Sequence, residues 1–201
     1  MTPGGTFERV YGAIRQRLRQ GYYRPGERLE PAALSDELNA SVTPVRDALH
    51  RLTGERLVEA PRHDGFRAPM LTETLLRHYY SWRLDLLLLA LRSGRGVLNL
   101  PDVGAAAHEI AVADRVNALF LSIARTPMNP EHLLALQAIT EKLEPVQRIE
   151  PLVFDELESE AAGLRDAARA GDTKALRRGL TRYHKRRERS VATLLARLQQ
   201  D

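Results

Sequence analysis

Ser41, Thr43 and Arg46 crowd the start of a segment whose apolar residues Val45, Ala48, Leu49 and Leu52 recur at helical spacing. With those four turned inward, Thr43, Arg46, Asp47 and His50 face outward. Small, polar and basic side chains at the leading end of a helix are what base edges and phosphates in a major groove require. Arg46 is suited to a bidentate contact with guanine or to a phosphate clamp, and Arg51, on the flank, to phosphate. A lone arginine on such a helix is ordinarily a solvated charge. Here it lies one turn into a helix that follows a tight turn, and a basic segment with Arg62, His63, Gly65 and Arg67 comes next. Gly65 permits positive φ at a hairpin tip and close approach of backbone to phosphate, although hairpins use glycine without any ligand nearby.

The elements that must position these residues can be read upstream. Phe7, Val10, Tyr11, Ile14 and Leu18 put one apolar face on a helix, with Arg9, Arg15, Arg17 and Arg19 mostly elsewhere on it. Gly21 stops that helix, and Tyr22 to Leu29, with Pro25-Gly26, reads as a turn and a short extended piece. Pro31, Leu34 and Leu38 outline a second, short helix ending near Asn39. The third begins after Asn39 to Val42, with Thr43 as N-cap and Pro44 at the first helical position, or with Ser41 as the cap. Two helices joined by so short a connector cross steeply, as in a helix-turn-helix. Leu57-Val58-Glu59 and Gly65-Phe66-Arg67-Ala68 read as two short strands around Pro61 to Asp64, a candidate wing.

Beyond Pro69 every segment reads as helix: Leu71 to Leu91, Val103 to Ala124, Pro130 to Leu143, Pro151 to Ala170 and Thr173 to Leu198. Ser93-Gly94-Arg95-Gly96, Asn129-Pro130 and Gly171-Asp172 mark the breaks. Two domains are therefore expected, residues 1–69 and 70–201. The 201 residues leave room for two small cores, and 43% hydrophobic with 28% charged residues match a globular protein rather than a disordered one.

The net charge of +4 and the pI near 9.7 favour polyanionic partners without naming one. The absence of cysteine excludes disulfides, thiolate zinc sites and a cysteine nucleophile, and suits a reducing cytoplasm. No secretion signal is visible at Met1 to Phe7. The apolar run Leu84 to Leu91 contains Asp85 and falls far short of the roughly 20 residues that span a bilayer, so a soluble chain is expected. No Ser/His/Asp set, paired carboxylates or phosphate-cradling loop appears at a telling spacing, which argues against an enzyme.

The run from Asn39 to Val58, with Pro25-Gly26-Glu27-Arg28-Leu29 upstream and Gly65 downstream, resembles the winged-helix signature of the GntR family of transcriptional regulators over residues 7 to 69. The resemblance implies DNA contacts at Ser41, Thr43 and Arg46 and around the wing at His63 and Gly65. It departs at two positions: Val42 stands where the family usually has an arginine, and Ala32 where many members have a basic residue. An altered operator or a weaker grip follows, and Val42 could instead touch a thymine methyl.

Residues Leu71 to about Leu198 resemble, more weakly, the FCD type of effector domain found in the FadR-like subfamily, on Arg83, Asn117-Ala-Leu-Phe120, Ala170-Gly-Asp172 and His184. The fold expected is mainly α, with an N-terminal winged helix-turn-helix of three helices plus a β-hairpin wing and an all-α C-terminal bundle of the FCD type. Many such domains hold a divalent metal, but here the position four after Asn117 is Leu121, Ala161 stands where a histidine is expected, and only His184 remains. A single imidazole makes no metal site, so no metal and no other cofactor are expected. What is left is an internal cavity lined by Arg83, Asn117 and His184, with Arg83 able to bind the carboxylate of an organic acid. Alternatively, Arg83 pairs with an acidic residue and His184 belongs to a solvated basic face running from Arg182 to Arg189. Leu86 to Leu89 suit a core helix or a subunit interface.

The expected function is a ligand-responsive repressor, a homodimer reading a palindromic double-stranded DNA operator and controlled by a small-molecule effector, with no membrane association. The competing reading is a helical interaction protein whose winged helix binds a protein partner.

Overall fold

The computed structural model describes residues 3–62, 64–93, 110–127 and 129–200. Its backbone clusters into two compact units, Met1–Thr72 with Leu198–Asp201, and Glu73–Arg197.

The first unit contains α1 (Pro3–Arg19), α2 (Pro31–Glu37) and α3 (Val42–Gly54). Val10, Tyr11, Ile14 and Leu18 of α1 are buried against Val45, Ala48, Leu49 and Leu52 of α3, with Leu29, Leu34 and Phe66 closing the core. Each such side chain contributes about 1.5–3 kcal/mol when fully buried, so the outward set on α3 is fixed by the core. α2 ends at Glu37, and Asn39 follows with φ 49°, a left-handed conformation that asparagine tolerates. Arg9 of α1 donates to the carbonyls of Leu38 at 2.7 Å and Asn39 at 3.1 Å. The connector between α2 and α3 is thus held in place from outside. Of the two candidate caps, Ser41 is the extended residue before α3, with φ −74° and ψ 160°, and Thr43 lies inside the first turn.

The wing is smaller than a hairpin of two strands. Among the described residues there is no strand, and Arg67 instead makes isolated antiparallel bridges to both Arg28 and Glu59. Glu59 and Arg67 exchange backbone bonds of 2.9 Å, and the Leu29 N–H donates to the Phe66 carbonyl at 2.8 Å. The upstream extended piece is therefore a third member of the wing. Pro61 and Pro69 flank the bridged residues, and a residue without an N–H cannot extend a ladder. Gly65 takes φ 68° with open space where a Cβ would lie; backbone conformation, not crowding, makes this a glycine position.

The second unit is helical. α4 (Glu73–Ser93) packs against α5 (Val112–Ala124), α6 (Glu131–Ile149) and α8 (Thr173–Arg189), and α7 (Leu157–Arg169) packs on α5 and α8. Three expected spans change. The third, Pro130 to Leu143, continues through Pro145 to Ile149; the next is divided into a 3-10 turn at Glu150–Leu152 and α7, the latter entered through Glu156 at φ 63°. The last is interrupted at Ser190, after which α9 (Val191–Leu198) follows. The Gly171-Asp172 break acts as expected: Gly171 has φ 64°, and the Asp172 carboxylate accepts from the Ala175 N–H at 2.8 Å, capping α8. Residues 103–109, expected to be helical, and the loop at 94–96 lie outside the described residues. Of Leu86 to Leu89, the first two are buried, while Leu89 is 44% exposed, as Trp82 is at 51%.

Candidate functional site

The leading end of α3 carries Ser41, Val42, Thr43, Arg46 and Asp47 in exposed positions, while Val45 and Ala48 are fully buried between them. Arg46 has no ion-pair partner among the described residues. The same holds for Arg62, exposed on the wing next to Gly65. His63 lies outside the described residues.

Two expected DNA contacts are engaged within the unit. Arg51 sits at the far end of α3, with Nη1 3.3 Å from Glu8 and Nε 3.4 Å from Glu55. Its guanidinium lies over the Tyr11 ring at 4.2 Å. It is therefore drawn toward α1 rather than held out on the helix flank. Arg67 pairs with Glu59 at 2.8 Å, so the side-chain pair repeats the backbone bridge. His50 is exposed, yet its ring meets Phe66 edge-on at 4.9 Å, which ties α3 to the wing.

In the helical unit Arg83 and His184 are both fully buried. The reading of His184 as part of a solvated basic face is corrected, because Leu176, Leu180, Tyr183, His184 and Arg187 form the inward stripe of α8. Nδ1 of His184 faces the Leu180 carbonyl at 2.8 Å. A carbonyl only accepts, so Nδ1 carries the proton and Nε2 accepts from Arg83 Nε at 3.1 Å. Burial, then the Arg83 and Arg187 cations, hold this imidazole well below the usual histidine range.

Arg83 does not pair with an acidic residue among those described. Its guanidinium lies between the rings of Phe120 at 5.2 Å, Tyr80 at 5.7 Å and Tyr183 at 5.8 Å. Nη1 and Nη2 have no hydrogen-bond partner among the described residues, and neither does the Tyr80 hydroxyl. Arg187 is the counter-example. It binds Glu150 through Nε at 2.9 Å and Nη2 at 2.7 Å, and Glu160 through Nη1 at 2.9 Å. Burial works against its charge, but Tyr183 and the two carboxylates outweigh that and hold its pKa above the ordinary arginine value.

Asn117 and Gln147 exchange side-chain bonds of 3.0 and 3.1 Å, and Gln147 also donates to the Tyr183 hydroxyl at 3.4 Å. The Tyr183 ring meets that of His184 at 5.1 Å. The three expected effector residues thus belong to one buried cluster. A cavity of about 230 Å³ borders Val116, Gln147, Tyr183 and Arg187, and it is lined by none of Arg83, Asn117 and His184, the three residues expected to line one. The donor set suits an anion and not a divalent metal: Nε2 of His184 faces a guanidinium, the Asn117 amide is engaged by Gln147, and no group of three or more His, Cys, Asp or Glu is assembled among the described residues.

The core-forming α1 to α3 with a minimal wing defines a winged helix-turn-helix domain followed by a helical one. Residues 6–67 match the family model described as bacterial regulatory proteins, gntR family. The chain is 39% identical over 62 residues to the Nta operon transcriptional regulator of Aminobacter aminovorans, covering 31% of this chain and 30% of that protein. It is 27% identical over 88 residues to the HTH-type transcriptional regulator YdhC of Bacillus subtilis, covering 44% and 39%. The match therefore spans well under half the length of these relatives. Among solved structures, a Rhodococcus sp. RHA1 protein described as a GntR transcriptional regulator superposes with TM-score 0.74 at 19% identity, over 93% of this chain and 97% of that one. E. coli McbR/YncC superposes with TM-score 0.67 at 20% identity, over 96% and 99%. These likenesses establish the fold of both parts. The matched family and relatives are transcriptional regulators, not enzymes. Among the described residues no helix is long and apolar enough to cross a membrane.

Sequence reasoning missed Tyr80, Gln147, Glu150 and Arg187. The signal for Arg187 was present, since it falls three residues after His184 on the stripe defined by Leu176 and Leu180. Reading Arg182 to Arg189 as one basic run obscured it.

Proposed function

We propose that the chain is a DNA-binding transcriptional regulator of the FadR-like GntR type, a ligand-responsive repressor acting in the cytoplasm as a homodimer on a palindromic operator. The observation that carries this reading is the unpaired Arg46 beside Thr43 at the exposed leading end of α3, within a gntR-type domain. Ser41 and Thr43 supply hydroxyls there, and Arg62 with the Gly65 backbone supplies a second contact to the sugar-phosphate chain. Anisotropy titration of operator DNA from the neighbourhood of the gene tests it. Arg46→Ala is expected to weaken specific binding by about 1–3 kcal/mol, or roughly 5- to 150-fold. Equal, weak binding by wild type and variant at every salt concentration would instead favour a protein-binding winged helix.

The effector proposed is a small organic acid whose carboxylate bonds Nη1 and Nη2 of Arg83, with the Tyr80 hydroxyl as a further donor. The FCD-type domain then works without a resident metal, since its one imidazole is turned to a cation. Elemental analysis of purified protein finding about one equivalent of a transition metal per chain would sink that part.

A further inference from the structure

The winged helix and the buried cluster leave the outer face of α8 without a role. Eight of its 17 residues are Lys or Arg against the single acid Glu188, more than the excess of four in the whole chain. Arg187 turns inward. Lys185 pairs with Glu188 at 2.7 Å, and Arg186 approaches Glu160 at 3.8 Å while donating to the Asp155 carbonyl at 2.9 Å. Arg177, Arg178, Arg182 and Arg189 are exposed and have no ion-pair partner among the described residues.

This arrangement works against the helix. Arg178, Arg182 and Arg186 succeed one another at intervals of four, as do Lys185 and Arg189, and like charges at that spacing destabilise a helix. The packing of α8 does not require them, because the inward stripe supplies it. Arg177, Arg178, Arg182 and Arg189 line an open groove of about 820 Å³ bordered by Leu88 of α4. An open channel bearing four unmatched guanidinium groups is far too positive for one small carboxylate. A second copy docking face to face would oppose charge with like charge. From Arg178 to Arg189 the helix rises about 16 Å, the axial span of about five nucleotides of one strand. Guanidinium forks match phosphate oxygens in both geometry and sign.

We propose that this face of α8 binds the phosphodiester backbone of double-stranded DNA, a contact additional to that of the winged helix. The inference shares with the proposed function only the premise that the chain meets DNA, and sequence recognition by Arg46 is not needed for it.

The full chain is titrated by fluorescence anisotropy with a duplex of arbitrary sequence, about 30 base pairs long, between about 50 and 200 mM salt. The Arg178→Gln, Arg182→Gln, Arg189→Gln triple variant is expected to lose at least about tenfold in affinity at the lowest salt and about 0.9 in the log–log salt slope per lost phosphate contact. Circular dichroism checks that the variant is folded; should it not be, Arg182→Glu alone is expected to give a smaller loss in the same direction. An unchanged slope and affinity overturn the proposal. So does an unchanged slope accompanied by a shift in sedimenting mass, which would make the groove an interface between copies. Sensitivity of operator DNA to Arg46→Ala, with the triple variant indistinguishable from wild type, removes this inference and leaves the proposed function standing. Failure of the wild type to bind any duplex at the lowest salt removes both.

Discussion

Arg83 Nε donates to Nε2 of His184 at 3.1 Å, a bond between a buried cation and a buried imidazole that leaves the other two guanidinium nitrogens without a partner among the described residues. A charge removed from water without a counter-charge costs several kcal/mol. The three surrounding rings offset that cost by about 2 kcal/mol for each desolvated cation–π contact. Arg83 is thus a buried charge without a carboxylate counter-charge among the described residues.

Arg83→Met follows directly. The variant keeps the stem of the side chain and loses the charge, so its melting temperature without ligand is expected to equal or exceed that of the wild type. Stabilisation by organic acids, read as a concentration-dependent rise in melting temperature, is expected to disappear. A large loss of stability in the unliganded variant would show that the guanidinium is already balanced. Glu150→Ala is the opposite case, because it breaks a buried ion pair and leaves Arg187 with Glu160 alone, and it is expected to cost about 3 kcal/mol in denaturant unfolding.

His184 gives a pH dependence with a definite sign. Its folded-state pKa lies below that of the unfolded chain, through burial and then the neighbouring Arg83 and Arg187 cations. Between the two values the unfolded state binds the extra proton, so this group's contribution is fully present above about pH 6.5 and is lost as pH falls below it. The slope is up to about 1.4 kcal/mol per pH unit. His184→Gln can still accept from Arg83 and has nothing to protonate. Urea unfolding of both proteins between pH 7 and pH 5 is expected to show a stability gap that narrows, or reverses, as the pH drops. Parallel curves would mean that His184 takes its proton without penalty.

Arg51 distinguishes structural arginines from free ones on the same helix. Its pairs with Glu8 and Glu55 and its contact with Tyr11 are half-exposed, so Arg51→Ala is expected to lower stability by about 1 kcal/mol. The effect on the DNA salt slope is expected to be smaller than that of Arg46→Ala or Arg62→Ala. Equal slopes for all three variants would restore Arg51 as a phosphate contact.

The parts that could be read from residues alone were those fixed by local patterning. The spacing of Val45, Ala48, Leu49 and Leu52 set the outward face of α3 because a helix buries whatever is apolar at three and four. The Glu59–Arg67 pairing of the wing is legible, but its third member comes from Arg28, remote in sequence, and two prolines cut short what alternation suggests. Ser190 interrupts a periodic pattern without glycine or proline to announce it. The pairing of Arg83 with His184 spans 101 positions. The family resemblance selected both residues, but only tertiary packing shows that one neutral imidazole and one unsatisfied cation result.

Val42 stands where the resemblance implies an arginine. It is 38% exposed at the leading end of α3, one residue past the Ser41 cap, so it contributes little to the core and a longer side chain has room to extend into solvent. Val42→Arg is therefore expected to leave stability within about 0.5 kcal/mol of the wild type. If α3 enters a groove by this end, the added guanidinium gains about one phosphate or base contact, and the log–log salt slope steepens by about 0.9. A variant that is equally stable but binds duplex no more tightly, with an unchanged slope, would mean that this end of the helix does not approach DNA.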